Sequence, residues 1–167
     1  MWSPDRRSLL AMLALSGLGA CGFAPAYGPS GPAQGLRGRI KADPPATRND
    51  FDFVAAFEDS LGRSDDPVWR LDYQINVSVV NLAVTPEGSI LRYNYIGNIA
   101  FQVRDAATGT VVTQGSANSF TASAATRSTI AAAASTTDAT TRLMQILSDL
   151  VVTQLLATSA KWVTPAP

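Results

Sequence analysis

The sequence predicts an α+β protein: a small single domain in the order β-α-β-β-β-α, with a four-stranded mixed sheet and two helices packed on one face. Three observations lead there. Between Val68 and Val84, apolar residues alternate with polar ones over a dozen positions, a period of two that few structures other than a strand sustain. A similar pattern runs from Ile90 to Arg104 after a short turn. Two other stretches repeat apolar residues at helical spacing. With 167 residues, 46% of them hydrophobic, the chain can fill one core but not two.

The elements follow in chain order. Leu36–Ala42 places Leu36, Gly38, Ile40 and Ala42 on one face and Arg37, Arg39 and Lys41 on the other, a short strand with a cationic outer side. Charges on an edge strand also guard it against aggregation. Asn49-Asp50 is expected to cap a helix in which Phe53, Val54, Phe57 and Leu61 form the apolar face and Gly62 ends the helix. In the strand Val68–Val84, Trp69, Leu71, Tyr73, Ile75, Val77 and Val79 share a face. Thr85-Pro86-Glu87-Gly88 reads as a turn. The strand Ile90–Arg104 then puts Tyr93, Tyr95, Ile99, Phe101 and Val103 on the apolar side. Asp105–Gly109 is a second turn, and Thr110–Ala122 a weaker, small and polar strand. The three make an antiparallel meander with one apolar and one polar face.

The last element is a helix over about Thr137–Ala160, capped by Thr136 or Thr137. Its expected core stripe is Ala139, Leu143, Ile146, Leu147, Leu150, Val151 and Leu155, with Val152 and Leu156 outside it. Residues 121–141, rich in Ala, Ser and Thr, are the low-complexity stretch. Residues 161–167 are expected as a disordered tail.

Residues 1–20 have the layout of an export signal. Arg6-Arg7 form a positive start, Leu9–Leu18 an apolar run of ten, and Gly19-Ala20 a small-residue approach to Cys21. Ten residues fall far short of the roughly 20 that span a bilayer as a helix. The arginine pair leaves both the general secretory route and the twin-arginine route open. Leu18-Gly19-Ala20-Cys21 resembles the lipobox of bacterial lipoproteins. Small side chains admit the backbone to a peptidase cleft, and the Cys21 thiol is the nucleophile that takes up the lipid. A lone cysteine exported to an oxidising compartment would otherwise have no partner. Several acyl chains make such an anchor effectively permanent. Gly22 rather than Asp follows the cysteine, which under the general lipoprotein sorting rule favours the outer membrane. Residues 21–35, rich in Gly and Pro, are expected as a lipidated tether and residues 36–160 as the folded domain.

Composition excludes several chemistries. The 13 basic and 13 acidic side chains cancel, so no general nucleic-acid binding is expected. Without residues 1–20, which hold Asp5, Arg6 and Arg7, eleven basic and twelve acidic side chains remain. With no histidine and one cysteine, Ser-His-Asp triads, Cys-His dyads and zinc sites of the His or Cys type are absent. The adjacent carboxylates Glu58-Asp59 and Asp65-Asp66 read as solvated surface pairs. The expectation is a protein without catalysis, metal or cofactor, apart from covalent lipid on Cys21.

Cys21, Gly22, Phe23, Pro25, Tyr27 and Gly28 match the start of a known family, and the order of elements behind them agrees. Further matches are Leu91-Arg92-Tyr93-Asn94 opening a strand, Asp105 with Thr108-Gly109 in the next turn, and Ser135-Thr136-Thr137-Asp138-Ala139 entering the last helix. Over residues 21–160 the chain resembles the LPS-assembly lipoproteins of the LptE family, in their alphaproteobacterial form. A poorly charged last helix and an Ala/Ser-rich approach to it depart from the pattern. The resemblance implies a non-catalytic outer-membrane lipoprotein, facing the periplasm or the lumen of a barrel. It would partner an LptD-like β-barrel as plug and assembly factor, and contact lipopolysaccharide on its way to the outer leaflet. It also implies that basic side chains in the loop regions between the second and third strands and before the last helix meet lipopolysaccharide, and by position the candidates are Arg92 and Arg127. Both also read as ordinary surface arginines. The alternative is an accessory lipoprotein of another envelope lipid transporter, with no barrel partner.

Overall fold

A computed structural model describes residues 27–28, 31–84, 88, 90–126 and 128–163. The signal segment 1–20, the lipobox cysteine Cys21 and most of the expected tether lie outside the described residues. The elements are α1 (Ala33–Leu36), β1 (Ile40–Ala42), α2 (Arg48–Leu61), β2 (Trp69–Val84), β3 (Ile90–Asp105), β4 (Val111–Ala124) and α3 (Thr129–Thr158), followed by a 3₁₀ turn at Ser159–Lys161. The sheet order is β1-β2-β3-β4; β1 runs parallel to β2, and the other pairs are antiparallel. The expected α+β class and the order β-α-β-β-β-α are therefore present, with one extra short helix in front.

Several boundaries differ from expectation. The first strand is three residues rather than seven, because Ala33–Leu36 turn into a helix and Gly38, at φ 64°, bends the chain before Ile40. The folded part also begins ahead of Leu36: Gly31 is buried and Ala33 has no exposed surface. At the other end, Trp162 and Val163 pack on the core. Helix α2 is capped by Thr47 instead of Asn49. The Thr47 hydroxyl accepts from the Asp50 amide, while the Asp50 carboxylate accepts from the Thr47 amide at 2.9 Å, a reciprocal capping box. Gly62 ends the helix at φ 80°.

Helix α3 starts two turns earlier than expected. Ser128 caps it, and the Ala-rich residues 129–136 are helical because alanine loses no side-chain entropy in a helix. Its buried arc is also rotated. Met144, Ser148 and Val152 are buried, whereas Ile146 and Leu150 are 37% and 36% exposed. The helix is wedged between two partners, so the core covers two flanks instead of one stripe. Leu143 and Leu147 lie against Gly97 of β3, and Thr141, on the other flank, donates to Asp52 of α2 at 2.8 Å. A Cβ on Gly97 would sit 3.0 Å from both leucine side chains, so glycine sets how closely helix and sheet approach.

The core lies between the helices and the sheet face carrying Ile40, Leu71, Ile99, Phe101 and Val103. The opposite face is open. Helix Thr129–Lys161 is long and apolar enough to cross a membrane, but its buried half belongs to this core.

Candidate functional site

At one end of the domain, α1, the start of β2 and the C-terminal turn meet. The ring of Trp69 meets that of Trp162 edge-on at 5.3 Å, and the Arg39 guanidinium lies 4.9 Å over Trp69. Gly35 abuts Val163. The described chain starts near this end, at Tyr27, six residues after Cys21. A stretch that short spans at most roughly 20 Å. We refer to it as the anchor end.

The far end is different. Sixteen residues of β2 extend about 50 Å at strand rise, carrying the β2–β3 hairpin well away from the tryptophans. There Val79, Val80, Leu82 and Leu91 are exposed, on both faces of the ribbon, and Ile130 at the start of α3 is 83% exposed. Side chains on both faces of the β2 edge are exposed here, because α3 covers the β3 and β4 side of the ribbon and leaves β2 open. In the same row as Val79, Tyr95 holds the ribbon to α3: its hydroxyl is 2.9 Å from that of Thr136, and Ser123 donates to it. Thr121 donates to the Ala139 carbonyl at 2.8 Å.

Arg92 belongs to this tip. It is exposed, and it stands in register between Leu82 of β2 and Ala124 of β4. Among the described residues no carboxylate is paired with it. Arg127 and Cys21 lie outside the described residues. Thr126 and Ser128, which flank Arg127 in sequence, are exposed, and they join the β4 end facing Arg92 to the cap of α3. The exposed aliphatic residues around Arg92 have no signal in the sequence pattern. Val79 alternates with the core residues of its strand, but α3 covers its cross-strand partner Tyr95 and leaves Val79 itself exposed.

The open sheet face is the other feature. Asp72 accepts from Arg104 at 2.6 Å and from Gln102 at 3.0 Å, and Arg104 also donates to the Gly109 carbonyl. Beside them lies a trough of about 550 Å³. Near the opposite sheet edge, partial burial and the neighbouring Asp50 and Asp43 carboxylates push the Tyr73 hydroxyl up to about 12. Burial, with Asp72 nearby, also raises the Asp43 carboxyl, against the pull of Arg70. In the β3–β4 turn, hydrogen bonds from the amide and hydroxyl of Thr108, and from the Ala107 amide, hold Asp105 below the usual carboxylate range. Among the described residues no three His, Cys, Asp or Glu side chains come together as a metal site.

The fold is one that several solved lipoprotein structures share. Solved structures with the fold make the comparison particular. A candidate lipoprotein from Caulobacter crescentus superposes with a TM-score of 0.68 at 18% identity, covering 81% of this chain and 98% of that one. Rare lipoprotein B from Shewanella oneidensis gives 0.56 at 12% identity, over 73% and 95% of the two chains. A minor lipoprotein from Acinetobacter baumannii gives 0.58 at 13% identity, over 79% and 98%. At these identities the likeness is one of fold. No family model matches the sequence, and no curated protein matches it significantly.

Proposed function

We propose that this protein is an outer-membrane lipoprotein of the LptE type, anchored through lipid on Cys21. In this reading it partners an LptD-like β-barrel as plug and assembly factor, and it contacts lipopolysaccharide during transport to the outer leaflet. It works without catalysis, metal or cofactor beyond the covalent lipid. The fold shared with rare lipoprotein B supports the family reading, since RlpB is LptE. The observation that carries the lipopolysaccharide contact is the tip: an exposed arginine among exposed aliphatic side chains, at the end of the domain remote from the tether. Lipopolysaccharide is an anionic amphiphile. A guanidinium forks onto its phosphates while aliphatic side chains cover its acyl carbons. The low charge of the rest of the domain limits the desolvation cost inside a barrel lumen.

Depletion of the protein tests this reading. The expected result is a misassembled barrel partner and less lipopolysaccharide at the surface. An unchanged barrel under depletion contradicts it and favours an accessory role with another lipid transporter. For the anchor, Cys21→Ser is expected to leave an unprocessed precursor that takes up no radioactive fatty acid; normal labelling refutes lipidation at this cysteine.

A further inference from the structure

The inner part of the polar sheet face, short of the Arg92 row at the tip, has its own composition. Cross-strand rows place Gln102 opposite Gln114, Gln74 opposite Ala100, and Asn98 between Asn76 and Asn118. Neighbouring strands lie about 4.8 Å apart, so the amides within a row stand side by side. Most of them are exposed to solvent. Around the small residues Ala100 and Ser116 the face dips into the trough of about 550 Å³ lined by Gln74, Gln102 and Gln114. At the tip-side border, in the row after Asn118, stands Phe120, 65% exposed.

The geometry points to a binding site for a neutral oligosaccharide along this trough. Each amide offers two donors and an acceptor oxygen, which complements hydroxyl groups that both donate and accept. Phe120 supplies an apolar ring against which the C–H face of a sugar stacks. Charge decides against other ligands. The carboxylate lining the trough, Asp72, is held by Arg104 and Gln102, so the pair is internally neutralised. A phosphate would find no unpaired cation among the lining residues. An acyl chain would strip water from the amides and leave them unbonded. A neutral polyol has neither problem. It reaches this face either as a free glycan or as the sugar part of a lipid, and both present the same hydroxyls.

The test follows the side-chain NH₂ signals of the ¹⁵N-labelled full-length chain, purified in a sugar-free detergent. One arm adds maltopentaose and the other dodecyl maltoside. Shifts at Gln74, Asn98 and Gln114 with maltopentaose support the site and a free glycan. Shifts with dodecyl maltoside alone support the site and a lipid-linked sugar. In either case the exposed double substitution Asn98→Ala with Gln114→Ala weakens binding about tenfold, as two lost hydrogen bonds would. Phe120→Ala weakens it further, while Arg92→Ala, at the tip, leaves it unchanged. No shift in either arm, or shifts that survive the double substitution, overturns the proposal. Arg92→Ala keeps that result separate from the lipopolysaccharide contact at the tip.

Discussion

The anchor end and the tip of the domain are built on opposite terms. At the anchor end Trp69, Trp162, Leu36 and Leu71 pack together, and Arg39 covers an aromatic face. Toward the tip the same β2 and β3 carry uncovered side chains on both faces, so Val79, Val80, Leu82 and Leu91 meet solvent. Both ends are made of aliphatic and aromatic residues, and the difference is what covers them. Apolar surface left open in a well-packed small domain marks a contact surface rather than a defect of folding. Packing is closed around the tryptophans and open where the hairpin projects.

Substitutions break or sharpen that contrast in a graded way. The largest effect is expected in the shared core: Leu143→Ala, under the sheet, should cost about 2–5 kcal/mol in denaturant unfolding. Gly97→Val should also destabilise strongly, because the new side chain collides with Leu143 and Leu147, whereas Gly88→Ala meets no neighbour but is strained at φ 80° and should cost only about 1 kcal/mol. Thr47→Ala removes one half of the α2 capping box and should cost about 1 kcal/mol. At the tip, Leu82→Ser with Arg92→Ala should leave the melting temperature unchanged and weaken lipopolysaccharide binding in vitro; adding Arg127→Ala should weaken it further. Binding unaffected by these changes would make the tip arginines ordinary surface residues.

The smallest effect is one of pH. The Tyr73 hydroxyl is raised in the folded protein, so the unfolded chain ionises first as pH rises. Its contribution is fully present below pH 10 and is lost between 10 and about 12, and Tyr73→Phe should flatten that alkaline loss in a pH series of unfolding curves. Asp43 is also raised, so its ionised form is disfavoured by folding, and Asp43→Asn should raise stability slightly at pH 7. Asp105 has the opposite sign. Its depressed carboxyl contributes above the ordinary carboxylate range and loses that contribution as pH falls, through the turn bonds from Thr108 and Ala107.

The meander was legible in the sequence because β2 and β3 alternate strictly and Gly109 closes the second turn at φ 71°. The last helix was legible in kind but not in orientation. Its stripe was drawn for a helix with one neighbour, and Val152, buried to 2% exposure, shows that α2 forms a second. Its start was missed because Ala, Ser and Thr carry no periodic contrast, although Ser128 is a good cap. The first strand was overdrawn because Leu36 and Ile40 fit a period of two as well as a helix followed by a bend at Gly38. Arg92 could be placed on a strand beforehand. That aliphatic side chains surround it depends on where the helices stop, which no local pattern records.

The central claim is a partnership, and affinity purification of the full-length protein from the outer-membrane fraction, with identification of what comes with it, tests it most directly. The account predicts a large β-barrel of the LptD kind in stoichiometric amount. Recovery of the protein alone, or with an inner-membrane ATPase complex in place of a barrel, would contradict it.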